Sequence, residues 1–130
     1  MNVKIKDIGL AGDVKHELDI SVNNHQITVR ELIEQRVVQE VQNYNNRVQE
    51  DHFKGLIEPS KEDRTINGFQ LKKKKRIVAE KQIYIALSGF QKNSYFILIN
   101  DRQVEQLDDI ITLDTDTTIN FIKLTPLVGG

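Results

Sequence analysis

The stretch Tyr95-Phe96-Ile97-Leu98-Ile99-Asn100-Asp101-Arg102-Gln103-Val104 decides the fold. Five apolar residues follow the turn-forming Lys92-Asn93-Ser94 and are too few for a helix, so they are expected to form a central strand buried on both faces. Asn100-Asp101-Arg102 then turns the chain, and a brief extended piece at Gln103-Val104 pairs back.

Downstream, Leu107 to Leu113 includes another short strand or a loop, and Asp114-Thr115-Asp116 has turn chemistry. Thr118 to Leu124 is rich in β-branched and aromatic residues, which predicts a terminal strand. Pro126 stops it, because proline has no amide for a sheet ladder and biases its predecessor toward an extended conformation. Residues 125–130 are therefore expected to leave the sheet as a flexible tail. Leu127 and Val128 are costly to leave in water without a partner, and Gly129-Gly130 presents no side chain to something closing around it. A hydrophobic anchor ahead of a bare carboxylate suits an enzyme that threads a chain end into its active site. The alternative is a frayed terminus with two accidental glycines.

Upstream, Ala79, Ile83, Ala86, Leu87 and Phe90 mark a helical stripe from Ile77 onward, with Gly89 near its end as a stop. Between about Gln49 and Arg76 the glycines, Pro59-Ser60, Asp63 and Asn67 break any long period, so an insertion of irregular structure or a short hairpin around Thr65 to Leu71 is expected. Lys72-Lys73-Lys74-Lys75-Arg76 could grip phosphates, but the run has no interleaved aromatic and reads better as a solvated face. His52 is a lone histidine in this stretch.

Thr28-Val29-Arg30-Glu31 is a capping box that opens a long helix. Val29, Leu32, Ile33, Val37, Val41, Tyr44 and Val48 recur at three- and four-residue steps, with an end expected at Asn45-Asn46 or at Val48. Ahead of it, Val3, Ile5 and Ile8, a turn over Gly9 to Asp13, and the alternation Val14, His16, Leu18, Ile20, Val22 predict a hairpin with one buried face. His16 reads as a partly exposed edge residue rather than a ligand, since no second ligand has a useful spacing. Asn23-Asn24-His25 is a turn.

A chain of 130 residues is most simply one domain, and a formal charge of −1 supplies no global field to recruit nucleic acid or an anionic membrane. Zero cysteines exclude disulfides, thiolate metal sites and a cysteine nucleophile. The amino end is too polar for a signal peptide and no run approaches a membrane span, so a cytoplasmic protein is expected. No glycine-rich phosphate loop or metal-spaced histidine set is present, so no catalytic residue, metal ligand or bound cofactor is expected; Asp108-Asp109 and Asp114 to Asp116 read as turn formers.

The order is strand, strand, helix, inserted helix, strand, short strand, strand, an α+β arrangement. The segments Ile97 to Val104, Leu113 to Ile122 and Pro126 to Gly130, with the helix start Ile27 to Ile33 after a hairpin, resemble the β-grasp ubiquitin-like superfamily. The chain most resembles the sulfur carriers, namely the molybdopterin-synthase small subunit and the thiamin-pathway carrier, and it also resembles prokaryotic ubiquitin-like modifiers. The similarity covers about Val14 to Asn46 and Ala86 to Gly130, and an insertion at about 49–86 departs from it. The resemblance implies a single β-grasp domain over 1–130, with a mixed sheet, a long helix across it and an inserted second helix.

It also implies that a ubiquitin-activating-type enzyme adenylates the carboxylate of Gly130 with ATP, this chain being substrate rather than enzyme. Gly130 would be the acyl donor, Gly129 would keep the channel clear, Pro126, Leu127 and Val128 would be recognised as the tail, and the face beside the last strand, including Phe121, would dock the body. Transfer to target lysines through a conjugating enzyme, reversed by a deconjugating protease, makes the chain a protein modifier. A C-terminal thiocarboxylate would make it a sulfur carrier instead, and a non-covalent β-grasp adaptor is a further alternative.

Overall fold

The computed structural model describes residues 1–54 and 78–124, with side chains as far as Arg47 in the first stretch. The hairpin expected around Thr65 to Leu71, the Lys72–Arg76 run, the His52 side chain and the tail residues Pro126 to Gly130 lie outside what is described.

The chain opens with β1 (Asn2–Ile8) and β2 (Val14–Ser21), an antiparallel hairpin with a bulge between Asp7 and Ile8. Gly12 takes φ +88 in the turn, a conformation that costs glycine little. The alternation is one-sided over most of the hairpin: Val3, Ile5, Leu18 and Ile20 are buried, while Lys4, Lys6, Glu17 and Asp19 are exposed; Val14, expected on the same face, is exposed, paired with Ile8 beyond the bulge.

A three-residue strand, β3 (Gln26–Thr28), leads directly into α1 (Val29–Lys54). The capping box forms in both directions: the Glu31 amide donates to Thr28 Oγ1 at 3.1 Å, and the Thr28 amide donates to Glu31 Oε1 at 2.9 Å. Thr28→Ala is expected to cost about 1 kcal/mol in urea denaturation, and Thr28→Ser much less. Helix α1 does not stop at Asn45-Asn46 or Val48; it runs on to Lys54, so regular structure extends into the stretch expected to break at Gln49. Nothing between Val29 and Lys54 is a glycine or a proline, and asparagine alone interrupts a helix only weakly. Within it Gln39 Nε2 donates to Asn43 Oδ1, one turn on, at 3.0 Å.

Helix α2 (Ala79–Gln91) starts two residues later than Ile77 and packs along α1. Gly89 is not its stop. It lies inside the last turn, where a Cβ would come within 3.3 Å of the Tyr95 ring, so its role is close approach. The residue that reverses the chain is Asn93, at φ 60.

Strands β4 (Tyr95–Ile99) and β5 (Arg102–Val104) form a second hairpin. Asn100 and Asp101, at φ 50 and 67, make its two-residue turn, with both central residues left-handed as tight hairpins require. After β6 (Ile110–Thr112), β7 (Ile119–Lys123) returns to the sheet. The five-stranded sheet has the order β2-β1-β7-β4-β5, and β7 lies at its middle, parallel to β1 and antiparallel to β4. β3 pairs with β6 in a separate two-stranded ribbon.

The described residues are thus α+β, with a mixed five-stranded sheet and two helices. The helices cover one face. Ile5, Ile20, Leu32, Ile33, Ile97, Leu113 and Ile119 are almost fully buried between the layers. β4 is central in pairing but not buried on both faces as expected: Ile97 and Ile99 are inside, whereas Phe96 and Leu98 on the opposite face are half-buried. Among the described residues the two helices lie over one side of the sheet, so an unbroken apolar run here marks a middle strand rather than a three-layer core.

Candidate functional site

Strand β7 carries the chain toward its last residues, so its end locates the root of the expected tail. The Leu124 amide donates to the Ser94 carbonyl at 3.3 Å, and residues 125–130 follow. Pro126, Leu127, Val128, Gly129 and Gly130 lie beyond the described residues; the structure gives only the point from which they depart.

That point borders a cleft of ≈1190 Å³ between the end of the sheet, α1 and α2. Its floor contains two charged residues that the sheet and helix patterns place inside. Asp7 continues the inward phase of Val3 and Ile5 on β1, and Arg36 occupies the inward stripe of α1 between Ile33 and Val37; each is 7% exposed. They meet as a two-pronged pair, Arg36 Nη1 to Asp7 Oδ1 at 2.5 Å and Nη2 to Oδ2 at 2.6 Å. Arg36 Nε also donates to Glu40 Oε1 at 2.7 Å. This geometry suits the guanidinium fork, which can satisfy two carboxylates at once. Burial works against the charge of Arg36, but its hydrogen bonds to Asp7 and the charges of Glu40 and Asp7 outweigh that and raise its pKa above the ordinary value.

Phe121 is part of this cluster. The body-docking role expected of it is corrected by its position: it is 5% exposed, on the helix side of β7, with Arg36 Cζ 4.4 Å from its ring centroid. Register explains this, since Phe121 lies beside Asp7 in the parallel pair and so shares its inward face. Tyr95 stacks on the other flank of Phe121, with centroids 5.7 Å apart and planes at 18°, and Phe90 from α2 tilts against Tyr95 at 6.0 Å. A column of rings thus runs from α2 through β4 and β7 to the cation on α1, and each ring contact adds a modest geometric preference to its burial.

The Tyr95 hydroxyl donates to the Ala86 carbonyl at 2.6 Å, holding α2 to β4. Burial pushes the phenol pKa well above its usual value, with the positive charge of Arg36 opposing in part. Above about pH 10 the unfolded chain loses this proton while the folded chain keeps it, so stability falls as pH rises and is pH-independent below that point on this account. The expected slope is about −1.4 kcal/mol per pH unit, absent in Tyr95→Phe; urea midpoints measured at stepped alkaline pH check it.

Asp7 and Arg36 were the residues that sequence reasoning missed. The available signal was phase: each is a charge at a position where strand or helix periodicity asks for an apolar side chain, and their roughly thirty-residue separation concealed the pairing. His16 faces the cleft rim and is exposed, as an edge residue. Asp114 and Asp109 act as turn formers: Asp114 Oδ1 accepts from the Asp116 amide at 2.8 Å, and Asp109 Oδ2 from the Gln106 amide at 3.1 Å. Among the described residues no group of histidines and carboxylates could hold a metal, and no helix is long and apolar enough to cross a membrane. Comparison of the chain with protein-family models, with curated proteins and with solved structures finds no match.

Proposed function

We propose that this chain is a β-grasp ubiquitin-like protein and that the carboxylate of Gly130 is adenylated by a ubiquitin-activating-type enzyme for transfer to target lysines. The observation that carries the reading is the course of β7. It occupies the middle of a mixed sheet, beside the first strand and under α1, and it ends at the sheet's rim immediately before Thr125-Pro126-Leu127-Val128-Gly129-Gly130. A strand held on both sides is a rigid mount, and a rigid mount lets a partner recognise the body while handling the end.

In this reading the activating enzyme supplies the chemistry. The carboxylate attacks the α-phosphorus of ATP and pyrophosphate leaves, giving an acyl-adenylate with a good leaving group. A partner cysteine then displaces AMP, and a lysine amine displaces the thiolate. This chain contributes Gly130 as acyl donor and Leu127, Val128 and Gly129 as the recognised tail. Thiocarboxylate formation is the competing outcome, since it shares the first step and differs only in the nucleophile.

Intact mass spectrometry after incubation with a candidate activating enzyme and ATP distinguishes the two. An adenylate or a thioester adduct is expected, whereas the mass change for exchange of one oxygen for sulfur marks the carrier. Deleting Gly129-Gly130 is expected to abolish every adduct without changing the urea midpoint. Persistence of the adduct after that deletion overturns the reading.

A further inference from the structure

The cleft at the root of the tail is lined by more cations than carboxylates, Lys15, Arg36, Arg47 and Lys123 against Asp7 and Glu40. Its carboxylates, Asp7 and Glu40, are both engaged by Arg36. Lys15 on the rim is held by Asp13 at 2.8 Å. That leaves Arg47 on α1 and Lys123 at the end of β7, both exposed, with no anionic partner among the described residues. Beside these cations the walls are apolar. Ile85 of α2 is 51% exposed and Leu10 of the first turn 73%, and Val37 and Val41 line the space between them. Exposed aliphatic surface is costly to keep wet, and beside an excess of cations it matches a ligand that carries aliphatic side chains and carboxylates together.

We propose that this cleft docks an acidic, aliphatic segment of a partner protein, namely the partner that handles the chain's end. Only the identity of that partner rests on the reading under Proposed function. A phosphate backbone has the right charge but makes no use of Ile85, Leu10 and Val41, so a peptide fits the lining better than a nucleic acid. Position adds the functional link. Six residues span at most about 20 Å, so a protein seated beside Leu124 has Gly130 within reach of an adjoining active site. Binding here would let an enzyme recognise the body without touching the tail, and would let charge decide which enzymes do so.

The test uses the full ¹⁵N-labelled chain, with neither enzyme nor ATP. The probes are a short synthetic peptide alternating Glu or Asp with Leu, its counterpart with Lys for every acid, a counterpart with Ser for every Leu, and a single-stranded oligonucleotide. The acidic Leu peptide is expected to shift the amides of Val37, Val41, Gln82, Ile85 and Leu124, with a Kd below about 1 mM. The other three probes are expected to bind at least about tenfold more weakly, and the double variant Arg47→Glu, Lys123→Glu is expected to weaken the acidic peptide by about tenfold. Both residues are exposed, so circular dichroism of that variant should be unchanged. Unmoved cleft amides at several mM peptide, equal shifts with the Lys peptide or the oligonucleotide, or equal binding by the double variant each overturn the proposal. Peptide binding without adduct formation in the ATP assay keeps the cleft and removes the tail's role. Adducts without peptide binding do the reverse.

Discussion

Arg36→Met is expected to lower the unfolding free energy by about 3–5 kcal/mol, because it strands the Asp7 carboxylate inside the protein without its partner. The side chains of both members of the pair are about nine-tenths buried, at 9% and 10% exposure, so solvent screens little of the loss. Asp7→Leu should cost a similar amount, since it leaves the guanidinium with only the half-exposed Glu40. The double variant Asp7→Leu, Arg36→Met removes both charges and should recover most of either single loss, because a matched apolar pair incurs no desolvation cost. Urea denaturation of the four proteins measures the coupling. Additive losses in the double variant would mean that the pair does not act as a unit.

Phe121→Ala is expected to cost about 3–5 kcal/mol, the usual range for removing a buried aromatic side chain from a packed core. Its position makes the upper part of the range the expectation. The ring touches Tyr95 on one flank and the Arg36 guanidinium on the other, so the cavity has walls from β4, β7 and α1 that cannot all close at once. Phe121→Leu should keep more than half of that stability, because it refills most of the volume while losing the ring contacts. Guanidinium midpoints at unchanged m-value are the measurement. A loss below about 1 kcal/mol for Phe121→Ala would show that the column is not packed as described.

The parts of the fold that were legible are those in which periodicity alone decides. The first hairpin follows from the alternation Val3, Ile5 and Leu18, Ile20, and the start of α1 follows from Thr28 and Glu31. β7 follows from its β-branched content between a turn and Pro126. What was not legible depends on distant partners. β3 is three residues long and exists because Ile27 meets Ile111, across more than eighty residues of chain. The end of α1 is not legible because asparagine can either cap a helix or continue it at little cost, and no glycine or proline between Val29 and Lys54 decides the matter. Phe121 could not be assigned a face from sequence, since the direction of a strand's alternation is fixed by what lies beside it, here the parallel neighbour Asp7.

The pairing of β1 with β7 also sets an order of assembly. Ile5 and Ile119 are register partners more than a hundred residues apart, so the sheet has a gap at its middle until nearly all of the described chain has been made. The opening hairpin and α1 can form early, but they have only half a surface to close on, and β4 with β5 has no route to the first hairpin except through β7. Folding should therefore be a late, cooperative event of high contact order on a nascent chain, slower than the helices alone would suggest. An arrest series on the ribosome, probed by protease, should show protection appearing in a single step once Lys123 has emerged.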